Sequence, residues 1–562
     1  MKLTDMPYKR VTPEETAPLM DSLTRRVRES TDAACVLDAF WDCQALNERV
    51  ATMMALAHIR FTMDTGEAVM SAENDYYDEV SPRFEESSHA FRLALVASPH
   101  RKALEERLGS LLFKNIEIEN RTFAPEIQPD MQEENRLTTA YVKLLSSALI
   151  PFDGKTLTLS QLVPYEQSPD RAVRRAACEA KSGFFEKNAP ELDSLYDKLV
   201  HVRHNMATTL GFENFIELGY CRMGRNCYTQ RDVAGFRGLV KTHVVPLAEH
   251  LKANQASRIG QKRLSVYDDP LLFPDGNAKP HGTPEEIFAH GRAMYRELSP
   301  QTAEFFDFMM DSDLFDVLQR PGKAPGGYCT YLPLYRSPFV FANFNGTSHD
   351  IDVLTHEAGH ALAAYLSRDN EIGALRNPTI DACEIHSMSM EFFTWPWMEG
   401  FFGGQTEKYR YGHLSGAVCF LPYGAMVDEF QHIVYQNPGM TPGQRRLAWL
   451  ELEREYRPWL APFDGAPEFY RSGGRWQAQT HIYEVPFYYI DYCLAQTMAL
   501  CFWKDARSDP ASAWERYIKL VSLAGTLSFS QLIEKAGLPS PFDPRTLTDI
   551  AGAAEEWLLN KV

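Results

Sequence analysis

No run of this 562-residue chain approaches eighteen consecutive apolar residues, so no segment reads as a membrane-crossing helix. The opening stretch MKLTDMPYKRVTPEE holds no apolar core, and no secretory signal is expected from it. No CxxC pair occurs, and the ten cysteines are sparse and irregularly spaced. Reduced thiols of a cytoplasmic protein are therefore expected rather than a disulfide framework. Cationic excess is missing too: 57 Lys and Arg stand against 75 Asp and Glu, a net charge of −18. A field of that sign repels phosphate, and without a basic patch neither nucleic acid nor an anionic membrane is an expected partner. Internal repeats, low-complexity tracts and phosphate-cradling glycine loops are also absent.

What remains is ample material for a core, with 44% hydrophobic and 23% charged residues. Thr12-Pro13, Ser168-Pro169, Thr283-Pro284 and Thr441-Pro442 each set a hydroxyl before a proline, the pairing that starts a helix. Apolar residues then return every three or four positions, as from Ile287 to Phe308, and sustained alternation is rare. The chain reads as mostly α. IPFDGKTLT, near Pro151, interrupts the helical pattern and suggests an N-terminal helical region over 1–150 and a second unit over 151–562. GGYCTYLPLYRSPFVFANFNG, ending at Gly346, is aromatic and β-branched and reads as a small antiparallel sheet or hairpin.

Immediately after it comes His356-Glu357-Ala358-Gly359-His360. Two histidines at i and i+4 share one helix face, close enough to bind one ion. Glu357 lies one step round, placed to take a proton from water and later hand it to a leaving amine. ALAAYL continues the helix, and Asp350, Asp352 and a capping Ser348 suit its start. A catalytic site needs a third ligand, and PTIDACEIHSMSMEFF offers Asp381, Glu384, His386 and Glu391. Spacing leaves Glu384 and Glu391 both open, because Asp381 with Glu384 also fits a capping box and either glutamate could face the first helix. His386 and Glu391 could instead orient a ligand imidazole.

HEAGHA, followed 24 residues after its second histidine by the Glu of ACEIHSMSMEFF, resembles the thimet oligopeptidase and oligoendopeptidase F family of zinc peptidases, especially its short bacterial Pz-peptidase-like branch. NFNGTSHDIDVLTHEAGHA, VDEFQHIVYQNPGMTP, HIYEVPFYYIDYCLAQ, TLSQLVPYEQSPDRAVRRAACEA and YDKLVHVRHNMATTLGFENF extend the likeness over about 152–557. The resemblance implies one Zn²⁺ held by His356, His360 and Glu384, with Glu357 as general base. It also implies a zincin-like, mostly helical body around a deep channel that admits short peptides and excludes folded proteins. The expected protein is thus a cytoplasmic zinc oligoendopeptidase, a monomer or small homo-oligomer.

The family further places a histidine and tyrosines of a late helix over the substrate, which His481 matches, with Tyr488, Tyr489 and Tyr492 as candidates. Tyr488 and Tyr492 stand one turn apart, and a neutral phenol suits the oxyanion that forms as water attacks a carbonyl. The strand before the metal helix is a candidate edge for the extended substrate, through Phe339, Ala342, Asn343, Asn345 and Gly346. Arg222 and Arg225 could meet a peptide carboxylate, though a structural ion pair is the commoner role. Two other readings stay open: a dipeptidyl carboxypeptidase on the same scaffold, and a helical peptide-binding protein with a closed structural metal.

Overall fold

The structure is a computed structural model that describes residues 1–460, 463 and 465–561. Three of the four hydroxyl–proline pairs cap helices as expected. Thr12 accepts from the Glu15 amide, and Thr283 and Thr441 close capping boxes with Glu286 and Gln444. At Ser168 the start slips two residues, and Asp170 becomes the cap by accepting from the Ala172 amide.

Helices α1 (Pro13–Glu29), α2 (Ala33–Met63) and α3 (Ala68–Val96) bury Met20, Phe40 and Phe91 in a cluster that also takes in Ile372 and Leu375. The N-terminal helices therefore brace the connection between the two helices that carry the site. After α4 (Gln128–Ser146), strands β1 (Ile150–Phe152) and β2 (Lys155–Leu157) form a two-residue hairpin. Asp153 and Gly154 both take positive φ there (51° and 69°), as such a tight turn requires. The long helix α5 (Arg171–Thr209) follows and packs against α4.

A three-stranded sheet comes next, from β3 (Phe315–Leu318), β4 (Tyr328–Leu332) and β5 (Ser337–Phe344) in the order β3-β5-β4. The expected antiparallel pair is β4 with β5, where Tyr328 faces Phe341. β3 joins β5 in parallel, so the sheet is mixed. β5 is its central strand, which fits a run of apolar residues buried on both faces. It was expected at the edge; the edge strand beside the metal helix is β4.

Helix α6 (His349–Ser367) leans on this sheet and crosses α7 (Ile380–Phe393) closely. A Cβ at Gly359 would lie 2.6 Å from both the His386 carbonyl oxygen and the Ser387 Cα, so the crossing is backbone on backbone. Ser348 makes no capping hydrogen bond; the Asp350 carboxylate accepts from the Asn345 and Gly346 amides instead, tying the end of β5 to the first turn of α6. α8 (Thr406–Gln436) and α9 (Tyr489–Ala506) complete the frame. A cleft of about 890 Å³ runs between Leu145, Ser160 and Phe185 on one side and α6, α7 and α8 on the other. All ten cysteines are free, and no described helix is long and apolar enough to cross a membrane.

Gly359→Ala is expected to push α6 and α7 apart, costing about 1–3 kcal/mol of stability. Thermal unfolding and metal titration check this; an unchanged melting temperature together with unchanged metal affinity would contradict the crossing.

Candidate metal centre and active site

α6 carries His356 and His360 one turn apart, with ring centroids 5.0 Å from each other. The close crossing at Gly359 brings in Glu384 of α7, whose Oε2 lies 3.2 Å from His356 Nε2 and 3.3 Å from His360 Nε2. The three ligand atoms fall within 4.8 Å of one another. Ligands about 2.0–2.1 Å from a tetrahedral ion sit roughly 3.3 Å apart, so two imidazoles and one carboxylate here suit a zinc-like cation with a free fourth position. The Ser387 hydroxyl donates to Glu384 Oε2 at 2.9 Å and fixes that oxygen. Of the two glutamates that spacing left open, Glu384 is the one that faces both Nε2 atoms.

Glu391 stands behind the cluster. Its Oε1 lies 2.7 Å from His356 Nδ1, and its Oε2 lies 2.7 Å from His413 Nε2. Trp395 donates its indole N–H to His413 Nδ1 at 3.2 Å, so His413 offers its Nε2 proton to Glu391. A carboxylate that takes the Nδ1 proton of His356 turns the Nε2 lone pair towards Glu384 and His360. Burial raises the Glu391 pKa, but the hydrogen bonds from His356 and His413 outweigh it and bring the group down to about 2. Tyr409 donates to Asp352 at 2.8 Å on the same side. His386 is fully buried away from the cluster with neither ring nitrogen bonded among the described residues, and burial lowers its pKa to about 3. Asp381 accepts the Ala382 amide and takes no part in the cluster.

Glu357 is 6% exposed and lines the cleft, and its Oε2 has no hydrogen-bond partner among the described residues. Burial raises its pKa, as suits a proton acceptor. Gly327 passes beside it: a Cβ there would sit 3.5 Å from Glu357 Oε1 and 3.2 Å from the Phe341 carbonyl oxygen. The glycine before β4 thus keeps the carboxylate uncovered.

The late tyrosines divide by role. Tyr488 donates to Glu384 Oε1, and Tyr492 lies 3.2 Å from His481 Nε2. Their rings sit 4.8 Å apart, on one face as one-turn spacing requires. Burial, then the Glu384 charge, raises both pKa values well above the usual phenol range, so both hydroxyls are neutral donors. Tyr489 turns the other way, its ring 5.0 Å from His481 and 5.8 Å from Tyr423. Tyr423 donates to Gln479 Oε1 at 2.8 Å, which directs the Gln479 amide N–H to His481 Nδ1 at 3.0 Å. His481 therefore carries its proton on Nε2, and burial lowers its pKa to about 4. Between His481 and Tyr488, Phe487 adopts φ of 68°, a costly angle for a side chain of its size. Its N–H donates to Gln431 and its carbonyl accepts from Arg225, which also pairs with Asp491 at 2.7 Å. Arg225 is thus a buried clamp on this turn, and Arg222 pairs with Glu134; neither guanidinium is free for a peptide carboxylate.

The residues expected to meet substrate on β5 fare differently. Phe339 and Ala342 are fully buried in the central strand: Phe339 is paired with Thr330 of β4 and the Ala342 carbonyl accepts from Lys323, so neither lies on an open edge. Asn343 and Asn345 line the cleft, but Asn343 donates to the Ala324 and Gly326 carbonyls and Asn345 to that of Ser160. The Gly346 amide is held by Asp350. His413, Tyr409 and Gln479 were not singled out from sequence, whereas Gly327 reads there as a turn or a point of close backbone approach. Only the i, i+4 spacing of Tyr409 and His413 on one helix hinted at the first two.

Glu391→Gln is expected to weaken divalent-cation retention roughly 10–100-fold while leaving all three ligands in place. Competition against a chromogenic chelator measures this, and an affinity equal to the parent's would remove the orienting role.

The comparisons with known proteins fit this geometry. The peptidase M3 N-terminal domain matches residues 3–123 and the peptidase family M3 model matches residues 301–550. A crystal structure assigned as an oligoendopeptidase F is 48% identical, with a TM-score of 0.98 over 99% of this chain and 98% of that one. PZ peptidase A, solved with an inhibitor, is 45% identical with a TM-score of 0.98 over 100% and 99%. Oligopeptidase PepF of Bacillus subtilis (strain 168) is 21% identical over 543 residues, 88% of this chain and 77% of that protein. With nearly half its residues shared over its whole length with such a structure, and a His–His–Glu cluster beside an unpartnered glutamate, the chain belongs to peptidase family M3 and is a metallopeptidase of the oligoendopeptidase F kind.

Proposed function

We propose that this chain hydrolyses internal bonds of short, unfolded peptides, with His356, His360 and Glu384 holding one zinc ion and Glu357 acting as the base. The observation that carries the reading is the buried Glu357 Oε2, without a partner among the described residues, at the cleft wall beside a three-ligand cluster. A zinc ion bound there would polarise the scissile carbonyl and acidify the attacking water. Glu357 takes the proton that water loses and returns it to the departing amine. Tyr492 and the Nε2–H of His481 donate to the oxygen that gains charge, and both are neutral donors before the reaction, so no proton has to leave them first. Tyr488 donates its O–H to Glu384 Oε1 and so steadies that ligand beside them.

A cleft of about 890 Å³ lies in the range of ligand sites, roughly 300–1,000 Å³, and has room for a short extended peptide but not for a folded domain. The edge strand β4 follows Gly327, which lies beside Glu357, and this supports β4 as the strand that would hydrogen-bond the substrate main chain. Lys181 and Lys408, the lysines on the cleft wall, are paired with Glu166 and Asp275. That disfavours a dipeptidyl carboxypeptidase, which needs a cation to fix the substrate terminus. The ten free thiols support a cytoplasmic location, and Leu145 on the cleft wall supports a 1–150 helical region that helps enclose substrate.

Glu357→Gln is expected to keep its zinc and lose roughly 10²–10⁴-fold in kcat; metal analysis beside a quenched-fluorescent peptide assay tests both halves. Peptides blocked at both ends should still be cut, and failure to cut them, with free-ended peptides trimmed in pairs, would establish the exopeptidase. Because His481 stays neutral above about pH 5, His481→Gln should lower the plateau of the pH–rate profile between pH 5 and 8 without changing its shape.

A further inference from the structure

Beyond the reacting groups, two glutamines of the cleft wall, Gln167 and Gln496, each leave a buried side-chain atom unbonded among the described residues, and Gln496 is the one carried by a helix of the site. Gln496 stands one turn after Tyr492 on α9, hence on the same helix face. It is 5% exposed, lines the same cleft as His356 and Glu357, and its Nε2 finds no hydrogen-bond partner among the described residues. An unmet buried amide donor bears its full desolvation penalty, and a ligand that meets it is a physical reason to keep one.

The packing of α9 shows what surrounds it. α9 runs antiparallel to α8, since the Phe487 N–H just before α9 donates to Gln431 while Cys493, further along, donates to the Leu421 carbonyl. α9 runs parallel to α7, since Tyr488 meets Glu384 while Phe502 meets Phe393. Gln496 therefore lies level with Met388 of α7 and with Ala417 and Phe420 of α8, all of which line the cleft. The wall beside them is Gly416, in the interior of α8, where a Cβ would meet nothing within 4 Å. Glycine is less favourable than alanine in a helix interior, and no neighbouring atom among the described residues demands it here. Gly416 thus leaves open space in the wall of the cleft that also holds the unmet amide.

We propose that Gln496, Met388, Ala417, Phe420 and Gly416 form a substrate side-chain subsite that takes a long, neutral side chain ending in a hydrogen-bond acceptor, such as the amide of glutamine. The three apolar residues line the stem, Gly416 admits its bulk, and Gln496 binds its end. An anionic end is disfavoured by Glu391, which lines the cleft one turn beyond Met388. The inference rests on the peptidase reading, because the subsite serves the chain that Glu357 cuts.

The test is a cleavage profile of the parent, Gln496→Leu and Gly416→Ala enzymes on a peptide library that varies each position flanking the cut. For one position, Gln496→Leu should lose about tenfold in kcat/KM for glutamine relative to leucine or methionine. Gly416→Ala should melt higher than the parent, by helix propensity, yet lose activity on long side chains at that same position. Identical profiles for the parent and both variants would overturn the subsite, and so would effects of the two variants at different positions. If Gln496→Leu fails to fold, Gln496→Met and Gly416→Ala decide between the same outcomes. A parent enzyme that cuts no library member would instead overturn the peptidase reading, and the subsite with it.

Discussion

The contact on which everything else depends is the crossing of α6 and α7 at Gly359, where backbone meets backbone with no Cβ between them. A Glu384 oxygen reaches both imidazoles of α6 only because the helix axes come this close. The motif's internal residues are often treated as free choices. In this chain the second of them is fixed by packing, since any side chain there would collide with the His386 carbonyl oxygen and the Ser387 Cα. The price is fully buried polar surface around the crossing, as at His386 and Ser389.

Around that crossing the protein builds outward in hydrogen-bonded tiers. Ser387 and Tyr488 hold Glu384, Glu391 holds His356, His413 holds Glu391, and Trp395 holds His413. A second chain runs from Tyr423 through Gln479 to His481 and Tyr492. Each link fixes a tautomer or a carboxylate orientation, so the reacting groups are preset rather than gathered by substrate. Glu357 is the exception: it is buried, with one oxygen unbonded among the described residues, and its charge is destabilised by that burial. Strain is stored beside this network at Phe487, whose left-handed backbone is held by Gln431 and Arg225 through its own N–H and C=O.

The sequence by itself determined the helical class, most helix starts and the chemistry of the centre, because these are local. Capping needs only neighbours a few residues apart, and two histidines four residues apart must share a helix face. The resemblance then singled out Glu384, His481 and the tyrosines by position in a pattern. Tertiary structure alone decided which glutamate of α7 faces both imidazoles, because that depends on how two helices cross. It also decided that β5 is the interior strand and β4 the edge: apolar composition suits both a hairpin and a buried centre, and only the parallel pairing of β3 with β5 distinguishes them. Gln479 and Gln496 were invisible for the same reason, since a residue that acts through partners distant in the chain leaves no local periodicity to read.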